Sequence, residues 1–156
     1  PWKRVELLNI GDTAPEFELS DQNGDVRTLS GFLAQGPVVL YFYPFDFSRV
    51  CTAQACAMRD RFDDATLHGV QIVGISAQSV ASHKKFAAAH NLPFPLLADP
   101  RKTMIRSYGV AAIFGLATRR ATFLIGMDGV VKNRVVADLF VGPHTEFLNT
   151  VFAENV

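Results

Sequence analysis

Pro37-Val38-Val39-Leu40-Tyr41-Phe42-Tyr43-Pro44-Phe45-Asp46-Phe47-Ser48-Arg49-Val50-Cys51 is the stretch on which the fold turns. Residues 37–43 are apolar without alternation, the pattern of a strand covered on both faces. Pro44 ends that strand. Beyond a short loop, Ala55, Met58, Phe62 and Ala65 recur at helical spacing, which predicts a helix over about residues 51–68 with one apolar stripe. Val70-Gln71-Ile72-Val73-Gly74-Ile75 reads as a second buried strand. In sheets of this kind ligands sit beyond the carboxyl ends of the strands. The loop from Tyr43 to Cys51 lies at such an end and opens a helix.

The order continues outward from this core. Residues 17–19 and 26–29 flank Asp21-Gln22-Asn23-Gly24-Asp25, a hairpin turn. A helix capped by Ser79 or Ser82 runs to about His90. Residues 95–98 form a short strand and residues 102–108 a helix. Residues 121–125 and 130–136 make a hairpin around Met127-Asp128-Gly129, and a last helix covers residues 145–153. This is an α/β order with a central sheet covered on both sides. No repeat, linker or low-complexity segment divides it, so residues 1–156 read as a single domain.

Composition narrows the function. Hydrophobic residues make up 49% of the 156 residues and charged residues 19%, which fits a folded globular chain. Lys plus Arg is 15 and Asp plus Glu is 15, so neither a nucleic-acid footprint nor attraction to an anionic membrane is expected. No stretch approaches the length of a membrane span. Two cysteines, Cys51 and Cys56, are too few for a disulfide framework. The start, Pro1-Trp2-Lys3-Arg4-Val5, has no signal-peptide apolar core. A reduced cytoplasmic protein is therefore expected; the missing initiator Met leaves an organelle, after removal of a transit peptide, as the other compartment. His68, His83, His90 and His144 lack metal-ligand spacing and read as surface or packing residues. No metal or cofactor is expected, and no serine nucleophile elbow or phosphate-binding fingerprint occurs.

Cys51 sits at the N-terminal end of the apolar stripe of its helix. A helix N-terminus offers unpaired N–H groups and positive partial charge, which favour a thiolate. A small buried hydrophobe is the competing reading, and position alone leaves the two even. Cys56, five residues on, turns toward the flank of Arg59, Asp60 and Asp63. In an intact helix α-carbons five apart are about 8.7 Å from each other. A disulfide needs less than about 7 Å. Pairing Cys51 with Cys56 therefore requires the first turn or turns to unwind.

Pro44-Phe45-Asp46-Phe47-Ser48-Arg49-Val50-Cys51 resembles the P-x-x-x-[ST]-x-x-C signature of the peroxiredoxins, and Cys56 at C-x4-C is similar to the peroxiredoxin Q or bacterioferritin comigratory group. Further landmarks are Gly11-Asp12-Thr13-Ala14-Pro15-Glu16-Phe17-Glu18-Leu19, Asp99-Pro100, Tyr108-Gly109-Val110 and Arg120-Ala121-Thr122-Phe123-Leu124-Ile125. The resemblance implies a thioredoxin-like fold, a central mixed β-sheet flanked by helices with an N-terminal β-hairpin extension. It also implies reduction of hydrogen peroxide and organic hydroperoxides. In that scheme Cys51 is the peroxidatic nucleophile and Cys56 the resolving thiol. Ser48 supplies the hydroxyl usually given by threonine, and Pro44 shields the thiolate. Arg120 is the active-site arginine, with Arg119 its competitor. The reductant is thioredoxin or a similar dithiol, and the working state a monomer. Arg49-Val50 departs from the usual Pro-Gly, Gln54 from a common glutamate, and Gly126 from a common aspartate.

The chemistry suits these residues. Thiolate attack on an O–O bond leaves sulfenic acid. Depressing an ordinary thiol pKa of ~8.5 to about 6 raises the thiolate fraction near neutrality only roughly ten- to thirtyfold, and nucleophilicity falls with pKa. The larger effect must come from donors aimed at the peroxide oxygens, for which Ser48, the helix N–H groups and Arg120 are suited. A one-cysteine peroxidase, and a sensor or chaperone-like binding protein using the same oxidation, are the other readings.

Overall fold

A computed structural model describes residues 5–154. The reading of residues 1–4 as the start of the chain lies outside that range. β1 (Glu18–Ser20) and β2 (Val26–Thr28) pair antiparallel. The buried Asp21 carboxylate shapes their turn by accepting from the amides of Asn23 (2.9 Å) and Asp25 (3.1 Å). Thr28 then ends the strand and caps a helix, its hydroxyl accepting from Gly31 N at 3.0 Å. This is why the second arm stops short of Leu29, which starts α1 (Leu29–Leu33).

β3 (Val38–Phe42) is buried at every position. The single helix expected over residues 51–68 is two, α2 (Arg49–Asp60) and α3 (Phe62–Leu67). At Arg61 the backbone leaves the helical basin (φ −102°, ψ 2°), and Asp63 and Asp64 fall in the first turn of α3, where a new N-terminus favours them. β4 (Gln71–Ser76) follows. Ser79 is the cap of α4 (Val80–His90), accepting from Ser82 N at 3.1 Å, and Asn91 in the left-handed region (φ 51°) closes it. β5 (Leu96–Ala98), α5 (Thr103–Ser107), the two-residue strands β6 (Ala111–Ala112) and β7 (Ala117–Thr118), β8 (Ala121–Ile125), β9 (Val131–Val136) and α6 (Gly142–Glu154) complete the order.

The main sheet runs β5-β4-β3-β8-β9. β3, β4 and β5 are parallel, while β8 runs antiparallel to β3 and to β9. Successive β3 side chains serve opposite cores. Val39 and Tyr41 meet Ala55, Met58, Phe86 and Leu148 on the side of α2, α4 and α6. Val38, Leu40 and Phe42 meet Phe32, Ile105, Tyr108 and Phe123 on the side of α1 and α5. Two cores on one strand explain the unbroken apolar run. Among the described residues no helix is long and apolar enough to cross a membrane.

Inside this frame His144 and Thr122 form a bonded polar pair. His144 is buried; its Nε2–H donates to Ala137 O (3.0 Å), so Nδ1 is the acceptor for the Thr122 hydroxyl at 2.7 Å. Burial pushes the His144 pKa below the ordinary imidazole value. A depressed histidine supports the fold above the unfolded-state value and withdraws that support as pH falls toward the folded one. The urea midpoint should therefore drop as pH is lowered through the imidazole range, and His144→Gln should flatten that part of the profile.

Candidate active site

Cys51 is the third residue of α2, which starts where the chain leaves the carboxyl end of β3. Its side chain is only 1% exposed. β8 is hydrogen-bonded to β3 with Ala121 opposite Phe42, so the residue before it, Arg120, is delivered to the same end of the sheet. Arg120 is buried, at 3% exposed. Its Nη2 donates to Cys51 Sγ at 3.2 Å, Nη1 to Gln54 Oε1 at 2.5 Å and Nε to Asp138 O at 3.3 Å. Among the described residues no carboxylate oxygen bonds this guanidinium. A buried cation needs a counter-charge. The Asp138 carboxylate, which accepts from the Arg120 amide at 3.1 Å and is held down in part by the Arg120 charge, supplies negative charge beside it.

Arg119, one residue earlier, points the other way. It is 38% exposed along its side chain and pairs with Asp138 Oδ2 at 3.0 Å. Burial alone would raise the Asp138 carboxyl, but hydrogen bonds from Arg119 and from the Arg120 amide hold it below its usual value. Asp138 thus places both arginines, with Arg120 inward and Arg119 outward.

Ser48 is the N-cap of α2 without a side-chain cap bond; its hydroxyl donates to Phe45 O at 3.2 Å. No bond from Ser48 to Cys51 is formed. Pro44 is half-buried, and its carbonyl accepts from Gln78 Nε2 at 3.1 Å. Gln78 Oε1 takes the Asp46 amide at 3.1 Å and the Ser76 hydroxyl at 2.7 Å. Gln78 follows β4 and so stands beside the end of β3, where it clamps the loop before the cysteine.

A buried polar cluster underlies that loop. Asp46 Oδ1 accepts from the Tyr43 hydroxyl at 2.6 Å, and Oδ2 accepts from Ser82 Oγ at 2.7 Å and faces His83 Nδ1 at 2.6 Å. His83 Nε2 faces Leu97 O at 3.0 Å. His83 and His144 are therefore buried and bonded within polar networks, packing histidines rather than surface ones. Burial acts to raise the Asp46 carboxyl, yet bonds from His83, Tyr43 and Ser82 hold it below its ordinary value. A depressed carboxyl contributes stability above the unfolded-state value and loses it as pH falls through the folded one. Asp46→Asn should lower the thermal midpoint at neutral pH by several degrees, a cost of about 1–3 kcal/mol, and the difference should shrink in acid.

Cys56 is half-buried on the flank of α2, 3.9 Å from His90 Nδ1 at the end of α4. Both cysteines are free. Sequence reading missed Asp46, Gln78, His83 and His90 and treated Gln54 only as a departure, although Gln54 is fully buried on Arg120. The usable signal was topological: neighbouring parallel strands place residues just beyond β3 and β4 side by side. Cavities of ≈310 Å³ beside Phe32, Phe62 and Val70, and of ≈490 Å³ beside Asp21, Lys84 and Phe94, do not reach Cys51.

The fold and this site define a thioredoxin-like protein with a buried thiol held by an arginine. The AhpC/TSA family matches residues 10–134, and the chain belongs to this family and, within it, to the peroxiredoxins. It is 42% identical over 126 residues to chloroplastic peroxiredoxin Q of Populus jackii, covering 80% of this chain and 59% of the relative. The chain thus spans about three fifths of the length of the curated relatives it matches. Among solved structures, peroxidoxin BcpB of Mycobacterium tuberculosis aligns with a TM-score of 0.88 at 33% identity, over 94% of this chain and 97% of that one. A structure bearing on the alkyl peroxide reduction activity of Xanthomonas campestris bacterioferritin comigratory protein aligns at 0.84 and 26% identity, over 97% and 100%.

Proposed function

We propose that this protein is a thiol-dependent peroxidase in which Cys51 is the nucleophile, Cys56 resolves, and Arg120 binds and polarises the hydroperoxide. The observation that carries the reading is the Arg120 Nη2 to Cys51 Sγ contact of 3.2 Å at the N-terminus of α2. Cys51 thiolate attacks one peroxide oxygen and the O–O bond breaks. The leaving oxygen takes a proton as water or alcohol, and sulfenic acid remains. Arg120 and the first N–H groups of α2 stabilise charge on the separating oxygens. Pro44 limits water at the sulfur. Ser48, one turn away, adds a hydroxyl once its bond to Phe45 O is exchanged for one to substrate.

Cys56 then attacks the Cys51 sulfenic sulfur, forming the disulfide and releasing water. Both cysteines lie in α2, so helix geometry holds their α-carbons about 8.7 Å apart, too far for a bond. The first turn has to open, and peroxidase turnover is coupled to local unfolding. An external dithiol, thioredoxin or a similar protein, reduces the disulfide by exchange. Both thiols come from one chain, which supports a monomer and one working domain. Plant relatives of this chain are named chloroplastic; two cysteines, too few for a disulfide framework, support a reducing compartment, cytoplasm or organelle.

The test is intact mass of the reduced protein after brief exposure to one equivalent of hydrogen peroxide. Loss of two hydrogens within one chain is expected. A gain of oxygen without a disulfide would remove Cys56 from its role and favour a one-cysteine enzyme or a sensor.

A further inference from the structure

The peroxide step has its charged partner in Arg120, but the resolving step has none in that account. A thiol must lose its proton to attack. Cys56 faces away from Arg120, and the titratable side chain at its sulfur is His90, with Nδ1 3.9 Å from Sγ. That separation suits a weak S–H donor facing an imidazole nitrogen. We propose that His90 is a catalytic residue of the resolving step, its Nδ1 taking the Cys56 thiol proton as the sulfur attacks the Cys51 sulfenic acid. The assignment rests on reading Cys51 as peroxidatic and Cys56 as resolving.

The step balances without a further reactant. The Cys56 S–H bond breaks and its proton passes to Nδ1. The S–S bond forms as the S–OH bond of Cys51 breaks. The hydroxide leaving group recovers the proton from the imidazolium and departs as water. Cys56 sulfur is oxidised and the sulfenic sulfur is reduced.

The contact has to survive the opening of α2, and the packing shows why it does. The half of α2 carrying Cys56 is anchored: Ala55 and Met58 are in the core, at 1% and 0% exposed, and Arg59 Nη1 donates to His90 O at 2.8 Å. The half carrying Cys51 is held less firmly at its entrance. Ser48 makes no side-chain cap bond, Arg49 is exposed, and Phe47 has φ 64°, a strained value for a bulky residue. Unwinding therefore starts at residues 47–51 and carries Cys51 toward a stationary Cys56. His90 is stationary as well. It is the last residue of α4, closed by Asn91, and its ring packs edge-on to Phe86 with centroids 5.3 Å apart.

The groups facing His90 are few. From α2 come the Cys56 thiol and the Arg59 guanidinium, which is on the His90 carbonyl and on Asp60. From the loop comes the Phe47 ring at 6.5 Å. No carboxylate among the described residues bonds the ring, so Nδ1 is free to take a proton from Cys56.

Rapid-quench mass spectrometry after mixing with hydrogen peroxide separates sulfenic acid formation from disulfide formation. His90→Gln should form sulfenic acid at the wild-type rate, which also shows that the Cys51 site is intact. Its disulfide step should slow by roughly tenfold or more near pH 7. The wild-type disulfide rate should depend on pH, and His90→Gln should change that dependence. In His90→Ala, added imidazole should accelerate the disulfide step, with no effect on wild type. A His90→Gln rate and pH profile equal to wild type overturns the assignment. A faster rate also overturns it and makes His90 a clamp on α2. If wild type forms no Cys51–Cys56 disulfide, it is the two-cysteine reading that fails.

Discussion

Cys51→Ser should leave no measurable hydroperoxide turnover, a loss on the order of a thousandfold or more. The substitution is nearly isosteric, so α2 and its buried stripe of Ala55 and Met58 should stay in place. What disappears is the thiol proposed as the nucleophile. A serine hydroxyl in the same position does not ionise near neutral pH, and Arg120 Nη2 would then meet a neutral oxygen where it now meets sulfur. Cys56→Ser should behave differently. It should gain one oxygen at Cys51 at the normal rate, stop there with a dithiol such as thioredoxin as sole reductant, and pass to sulfinic acid with excess peroxide. Steady-state turnover with hydrogen peroxide, read alongside intact mass, checks both variants. Sustained turnover by Cys51→Ser would refute the assignment of the nucleophile.

The contrast between these variants depends on features of unequal visibility in the chain. β3 could be read from residues 37–43 because a strand with a core on each side needs apolar residues at every position. The α2 stripe could be read because Cys51, Ala55 and Met58 share one face of a regular helix. α1, β6 and β7 show no such pattern and go unread. The break at Arg61 was hidden because the apolar spacing of Met58, Phe62 and Ala65 runs across it. Arg120 and Arg119 are adjacent arginines, and only the register of β8 against β3, with Asp138 between them, separates buried from exposed. Asp46 and His83 lie 37 residues apart and meet through β4 and α4, a contact that no local pattern encodes. Cys51 and its helix are thus local features, whereas the groups that hold them are products of topology.

Arg120→Met should reduce the second-order rate of Cys51 oxidation by about a hundred- to a thousandfold, the usual cost of losing a charged donor in a preorganised site. Arg120→Lys should fall in between, because one ammonium cannot reproduce the fork that spans Cys51 and Gln54. Arg119→Ala should stay close to wild type, since that side chain reaches only Asp138 at the surface. The size of the Met effect also decides how the arginine acts. Complete ionisation of an ordinary cysteine raises its thiolate fraction at pH 7 by only about ten- to thirtyfold. A loss within that bound, recovered as pH is raised, would mean that Arg120 serves mainly to ionise Cys51. A loss beyond it that persists at high pH would mean that the guanidinium binds the oxygens as their bond breaks. The second outcome is expected. Arg120 already holds its sulfur contact at 3.2 Å and is fixed by Gln54 and Asp138, so little reorganisation is left when charge moves from sulfur to oxygen. An Arg120→Met oxidation rate within threefold of wild type, in a variant with an unchanged thermal midpoint, would remove Arg120 from the mechanism.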